Sequence, residues 1–300
     1  GRAASLCYTF SAKPAMPRYK LVVQYIGSRY CGFQSQGTAL SAEQTTVQQS
    51  IEAAISKLVP GMEKPKVVGC GRTDTGVHAI GMPVHVDLER RCRKTGALKE
   101  PFSPDLVMKS LNYHLREEAD IVVTSVIRVP MEFHARRSAV SRSYMYRIAH
   151  GCNQIPVFEM NRVYRVWQRL NINAMAEAAK NLTGRFDFTT FRAVCCEAAS
   201  PIRTIESFDV IPRDSSYMFG PAGPPSCGNL IDIFVSADGF LYHQVRNLVA
   251  FLIGVGKGDF SPSDTTRLLD GRKRDLIPPM VPAYGLYFLK AEYPIEHETI

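Results

Sequence analysis

Apolar positions along the chain change period several times, and each change marks an element. Tyr19, Leu21, Val23 and Tyr25 alternate with polar residues, the period-two pattern of a strand over 18–26. Val47, Ile51, Ile55 and Leu58 then fall at helical spacing over 46–59, and Pro60-Gly61 stops that helix. Val67-Val68 feeds a loop with glycines at 69, 71, 76 and 81, beyond which 82–88 alternates again as a strand. Ser103-Pro104 opens a helix that runs to 115, with serine as N-cap and proline in the first turn. The β-rich stretch 121–129 ends at Pro130.

The second half repeats the logic. Residues 141–149 read as a strand with Tyr144, Tyr146 and Ile148 on one face, and 163–167 as a short one. A helix over 173–182 ends at Gly184, placed just past its cap. Strands follow at 202–211 and 229–236, separated by a Pro-, Gly- and Ser-rich insertion at 212–228. Asp238-Gly239 turns into a helix over 240–255, with Leu241, Val245, Leu248 and Leu252 as its buried stripe. A helix at 263–269 and a strand at 286–291 close the chain. This order predicts an α+β fold of two subdomains, 18–130 and 131–296, each a mixed, mostly antiparallel sheet with helices packed on it. A leader, 1–17, precedes them. A channel between the two sheets is the expected place for a bound strand of polyanion.

Charge sharpens that expectation. The 300 residues carry a formal charge of +8 and a pI near 9.1, which favours a polyanionic partner and says nothing about fold. Glu89 to Glu100 is a charged interruption that holds Arg90, Arg91, Arg93, Lys94 and Lys99; it is either a solvated insertion or a nucleic-acid-facing patch. The first 42 residues hold no Asp or Glu but five Lys or Arg, which suits either a mitochondrial transit segment or a plain basic leader on a cytoplasmic or nuclear protein. Eight cysteines at 7, 31, 70, 92, 152, 195, 196 and 227 form no C-x-x-C pair and no zinc spacing, so reduced thiols are expected. The longest apolar run, near 248–255, is too short to span a bilayer.

The candidate chemistry starts at Asp74, in the middle of the glycine-rich loop. An Asp there is either a turn or cap residue, or a carboxylate nucleophile or base kept ionised by a cation. Arg246 is the best candidate cation, because it shares a helical stripe with Tyr242, Val249 and Ile253 and must find either an anion or water. Tyr144 follows a run of arginines that includes Arg136, as an aromatic that stacks on a base beside phosphate contacts would. Tyr146 lies on the same face, and spacing does not separate the two. Gly254-Val255-Gly256-Lys257-Gly258 lacks the spacing and hydroxyl of a phosphate-binding loop and reads as a helix end.

Gly71-Arg72-Thr73-Asp74-Thr75-Gly76-Val77-His78-Ala79 resembles the G-R-T-D-x-G-V-H-A signature of the TruA family of tRNA pseudouridine synthases. The resemblance extends over about 19–293, through Phe133-His134-Ala135-Arg136, Ser141 to Tyr146, Asp187 to Arg192, His243-Gln244-Val245-Arg246-Asn247 and Ala283-Tyr284-Gly285-Leu286-Tyr287. Its closest branch is expected to be the eukaryotic synthase-like proteins. It implies the pseudouridine synthase fold, a tRNA substrate modified in the anticodon stem-loop, a homodimer, and no metal or other cofactor. It implies Asp74 as nucleophile, Arg246 as its orienting partner, and Tyr144 as the active-site tyrosine. Arg72, Arg136 and His243 would bind substrate, and Leu286 would lie under the target uracil.

Overall fold

The computed structural model describes residues 16–34, 45–62, 65–92, 94–213 and 229–297. The expected leader, up to residue 15, and the insertion beyond Arg213 lie outside them. Along the described chain run β1 (Arg18–Tyr25), α1 (Val47–Leu58), β2 (Val68–Gly69), β3 (His78–Asp87), α2 (Pro104–Leu115), β4 (Ile121–Val129) and β5 (Ser141–His150). After them come β6 (Tyr164–Val166), α3 (Ile172–Asn181), β7 (Gly184–Asp187), β8 (Ile202–Arg213), β9 (Asn229–Ala237), α4 (Gln244–Lys257), α5 (Asp264–Gly271) and β10 (Leu286–Glu292). None of the described helices is long and apolar enough to cross a membrane.

The strands form one sheet in the order β4-β1-β3-β10-β5-β9-β8-β7, with β2 added to β3 and β6 to β5. Most pairs are antiparallel; β10 with β3 and β6 with β5 are parallel. Two separate sheets with a channel between them are therefore not what the chain makes. The last strand inserts between β3 and β5, pairing Tyr287 with His78 on one side and Leu286 with Tyr146 on the other. It welds the halves into one α+β layer. Two hydrophobic cores remain distinct under that common sheet. One gathers Leu21, Ile51, Ile55, Val84 and Leu111 around α1 and α2; the other gathers Tyr146, Met175, Phe191, Ile233 and Phe251 around α3 and α4.

Local chemistry explains most element limits. Thr46 accepts from Gln49 N–H at 3.3 Å while Gln49 Oε1 accepts from Thr46 N–H at 2.9 Å, a capping box that starts α1 where its apolar stripe begins. Ser103 caps α2 through Leu106 N–H at 3.3 Å. Three limits differ from the sequence expectation. β3 starts at His78, so the glycine-rich stretch is already strand after Val77. Gly184 is not the C′ residue: α3 caps at Leu182, Thr183 follows, and Gly184 opens β7, a strand the pattern did not predict, with φ +128°. α4 starts at Gln244 rather than 240, because the segment before it turns through His243 in the left-handed region, φ 62° and ψ 7°. Leu241 therefore sits in a turn, and α4 is buried on all sides from Asn247 to Gly256, with no single buried stripe. The 89–100 stretch is a small, mostly exposed hairpin bridged at Arg91 and Leu98.

Candidate active site

The loop from β2 to β3 is fastened on both sides of Asp74. Thr73 is buried, with its hydroxyl 2.8 Å from Tyr25 Oη and its carbonyl accepting from Phe33 N–H at 3.1 Å. After it, Val77 N–H donates to the Asp74 carbonyl at 3.1 Å across a turn through Gly76, whose φ of +82° suits glycine. The backbone of Asp74 is thus set by its neighbours, leaving its side chain to face the cleft.

That side chain caps no helix. Its Oδ2 accepts from Arg246 Nη1 at 3.0 Å and lies 3.2 Å from His243 Nε2. Arg246 is itself anchored, donating from Nε to the Val281 carbonyl at 2.9 Å. Burial pushes the Asp74 carboxyl upward most strongly of any single influence, but the hydrogen bonds and charges of His243 and Arg246 together outweigh it. The net pKa is below the ordinary carboxylate value, so Asp74 is an anion at neutral pH. Oδ1 takes no partner among the described residues, and the side chain keeps 23% of its surface. One oxygen is held and the other is presented.

His243 is one of four non-glycine residues with positive φ among the described residues, and its ring stacks on Tyr242 at 3.7 Å between centroids. Such a conformation costs free energy and persists where surrounding contacts fix it. Here Gln244 closes the turn, accepting at Oε1 from Leu241 N–H at 2.7 Å. The expected substrate-binding role of His243 is joined by a direct contact to the carboxylate that spacing did not reveal.

The structure separates the two tyrosines. Tyr146 is fully buried and its hydroxyl donates to the Pro282 carbonyl at 2.8 Å, a packing role. Tyr144 lines the cleft, its ring held edge-on by Phe240 and Phe288 at 5.1 Å each. Burial, then the nearby Cys70, Tyr25 and Asp74, push its phenol far above the usual value, so it works as a neutral O–H. All seven residues singled out in the sequence line one cleft of about 1360 Å³: Asp74, Arg246, Tyr144, Arg72, Leu286, Arg136 and His243.

The cleft's cations fall into two kinds. Arg246 is committed to Asp74. Arg142 donates from Nη1 to the carbonyls of Ala139 at 2.9 Å and Asp238 at 2.8 Å and from Nη2 to that of Arg136, so it staples β5 to its surroundings. Arg203 donates to the carbonyls of Ser200 and Ile202 at 3.0 Å and 2.6 Å. Arg72 and Arg136 are exposed, and their guanidinium groups take no hydrogen-bond or ion-pair partner among the described residues. Arg142 and the aromatic wall of Phe240 and Tyr242 were missed in the sequence; the arginine run before Tyr144 was the signal for the first.

Similarity to known proteins gives the family. Residues 21–136 and 178–294 match the family model described as tRNA pseudouridine synthase. A protein of Beijerinckia indica named tRNA pseudouridine synthase A is 41% identical over 284 residues, 94% of this chain and 96% of that one. Proteins of the same name from Azorhizobium caulinodans and Rhodopseudomonas palustris are 40% and 39% identical; each match covers 93% of this chain and 95% and 100% of theirs, respectively. With the signature loop, the paired carboxylate and the aromatic cleft in one place, the chain belongs to the tRNA pseudouridine synthase family, a family of isomerases.

Proposed function

We propose that this chain isomerises uridine to pseudouridine in the anticodon stem-loop of tRNA, with Asp74 as nucleophile. The observation that carries the reading is the Asp74 carboxylate, ionised and fixed at Oδ2 while Oδ1 points free into a cleft walled by Tyr144 and Leu286. A carboxylate oriented by a cation and exposed on one oxygen is what covalent catalysis by Asp requires. The target nucleotide lies in a stem-loop and must be extruded to reach it.

Asp74 attacks the sugar at C1′ or the uracil at C6, or removes a sugar proton to give a glycal; the N1–C1′ bond breaks, the base turns, C5 bonds to C1′ with loss of its hydrogen as a proton, and Asp74 is released. Tyr144 packs against the base, and its hydroxyl assists the transfer of the C5 proton to water. Leu286 forms an apolar floor, and Arg72 and Arg136 take the flanking phosphates. The reaction changes no oxidation state and transfers no external group, so the residues present suffice for it. The acid-free start of the chain supports a mitochondrial address, and the exposed apolar Val157, Phe158 and Met160 offer a surface that the expected homodimer would cover.

The test is tritium release from tRNA carrying 5-³H-uridine, because bond formation at C5 expels that hydrogen. Release by wild type and none by Asp74→Ala supports the reading, and mapping of the modified position tests the anticodon arm. Tight RNA binding with no release by wild type would replace it with a non-catalytic RNA-binding role.

A further inference from the structure

Phe133-His134-Ala135-Arg136 lies on the chain between β4 and β5, and its histidine has no part in the chemistry above. The backbone around it is unusually well tied. His134 Nδ1 accepts from the N–H groups of both Arg136 and Arg137, at 3.2 Å each. His134 N–H donates to Ser138 Oγ at 3.0 Å, and Ser138 N–H donates back to the His134 carbonyl at 2.9 Å. Ala135 is gripped at both ends, its N–H donating to His85 Nδ1 at 3.1 Å and its carbonyl accepting from Tyr293 Oη at 2.7 Å. Arg142 holds the Arg136 carbonyl. Every one of these contacts goes to backbone or to Ser138, and what the tied turn presents to the cleft is the unpartnered guanidinium of Arg136.

We infer that His134 is a positioning residue for RNA binding: its Nδ1, as a double acceptor, folds the turn that aims Arg136 at a phosphate beside the target uridine. This rests on the proposed tRNA substrate and adds a residue to it. A long, free arginine side chain loses rotamer and backbone entropy when it docks; a turn fixed in advance removes part of that cost. A ring nitrogen can accept two N–H bonds only while it carries no proton, so the other nitrogen, Nε2, must bear the hydrogen. The surroundings favour that form. Burial first, then the positive charges of Arg137, Arg18 and Arg136, hold the His134 pKa below its ordinary value. His85, whose ring lies 4.9 Å away, is pushed down to about 4 by burial, Arg18 and His134. Asp87, paired with Arg18, is the nearby anion.

The test turns on the position of the acceptor. Asparagine places an oxygen where Nδ1 sits; glutamine places it one bond further out, where Nε2 sits; leucine has none. With 5-³H-uridine tRNA as probe, His134→Leu and His134→Gln should raise KM about tenfold, the worth of one charge-assisted contact, with kcat within about twofold. His134→Asn should restore KM. In an Arg136→Ala background the three substitutions should have no further effect on KM, because the group they aim is gone. Equal KM for Asn and Gln variants, a fall confined to kcat, or full additivity with Arg136→Ala would each overturn the assignment. Filter binding of the same RNA separates it from the catalytic reading: if no variant turns over, the same order of Kd values upholds His134 and only the isomerisation falls. Thermal melts guard against unfolding, since Asn and Gln remove the same ring.

Discussion

Arg246 meets Asp74 across 172 positions of sequence, Nη1 to Oδ2 at 3.0 Å, while its Nε holds the Val281 carbonyl at 2.9 Å. The guanidinium fork therefore does two jobs at once, fixing the carboxylate and fixing itself. A lysine at this position reaches with one point charge and cannot satisfy both. Arg246→Lys should lower kcat by about 10- to 100-fold with KM within a few-fold, the loss of one charge-assisted hydrogen bond at the reacting group. Asp74→Asn keeps the shape and removes the proposed nucleophile, and should lower kcat by at least about 10⁴-fold. Single-turnover tritium release with tRNA affinity measured alongside checks both; a collapse of affinity in Asp74→Asn would make Asp74 a structural residue.

His243 is one of the two groups that hold Asp74 ionised. On the proposed mechanism Asp74 works as an anion, so activity should fall as pH drops through its pKa. His243 and Arg246 hold that pKa below the ordinary carboxylate value against the upward push of burial. Removing His243 removes part of the downward pull, so the pKa rises and the acid limb moves to higher pH. His243→Asn is the variant of choice, because asparagine tolerates the left-handed backbone at φ 62° but is too short to reach Oδ2 as the ring does. A profile of kcat/KM against pH should show the acid limb displaced upward in His243→Asn. An unmoved limb would mean that Arg246 alone sets the ionisation.

Much of this was readable from the residues, for physical reasons that differ by element. α1 and α2 each bury one face only, so period 3.6 is written into them and they start where Thr46 and Ser103 cap, and the buried apolar residues of β1 all fall on one alternating set even though Lys20 is buried as well. The start of α4 was not readable. Its helix is buried all round, so apolar residues run on without phase, and its true start depends on Gln244 reaching back to Leu241 and on a histidine in a conformation that propensity disfavours. Asp74 and Arg246 stood out as charges in odd company, and their pairing is the expected one; the single sheet that brings them together was not readable, because it is completed only by β10 at the chain's end. Tyr144 and Tyr146 share a strand face, and it is tertiary contact that separates them: the Tyr146 hydroxyl meets the Pro282 carbonyl, while Tyr144 lines the cleft.

Gly27 is a contact glycine for the loop that carries Asp74. A Cβ there would stand 1.9 Å from the Val77 carbonyl oxygen, and a backbone oxygen at the end of the signature loop has nowhere to retreat. Gly27→Ala should destabilise the fold by about 1–3 kcal/mol, as overpacking does, and should also lower kcat by shifting the turn that closes on Asp74. Gly61→Ala is the control: its φ of +92° makes alanine strained, but nothing lies within 4 Å of the added carbon. It should cost about 1 kcal/mol and leave kcat unchanged. Urea melts and initial rates on the two variants distinguish steric displacement of the loop from strain elsewhere.

The two free cations of the cleft predict the salt response. A cation that neutralises a phosphate releases a counterion, so the logarithm of affinity falls with the logarithm of salt concentration by about 0.7–0.9 for each contact. Arg72 and Arg136 have no partner among the described residues to exchange for a phosphate, so their whole electrostatic gain is available to RNA. Arg72→Ala and Arg136→Ala should each flatten the slope of tRNA binding by about that amount, roughly one phosphate contact per arginine. Lys109, on α2 and already paired with Asp105 at 2.8 Å, is a surface cation outside the cleft lining, and Lys109→Ala should leave the slope as it is. Filter binding across a salt series reads all three. Equal slopes in wild type and both arginine variants would remove the phosphates from these residues and leave Arg72 and Arg136 as solvated rim charges, while a drop for Lys109→Ala would show that RNA extends around the edge of the sheet to α2.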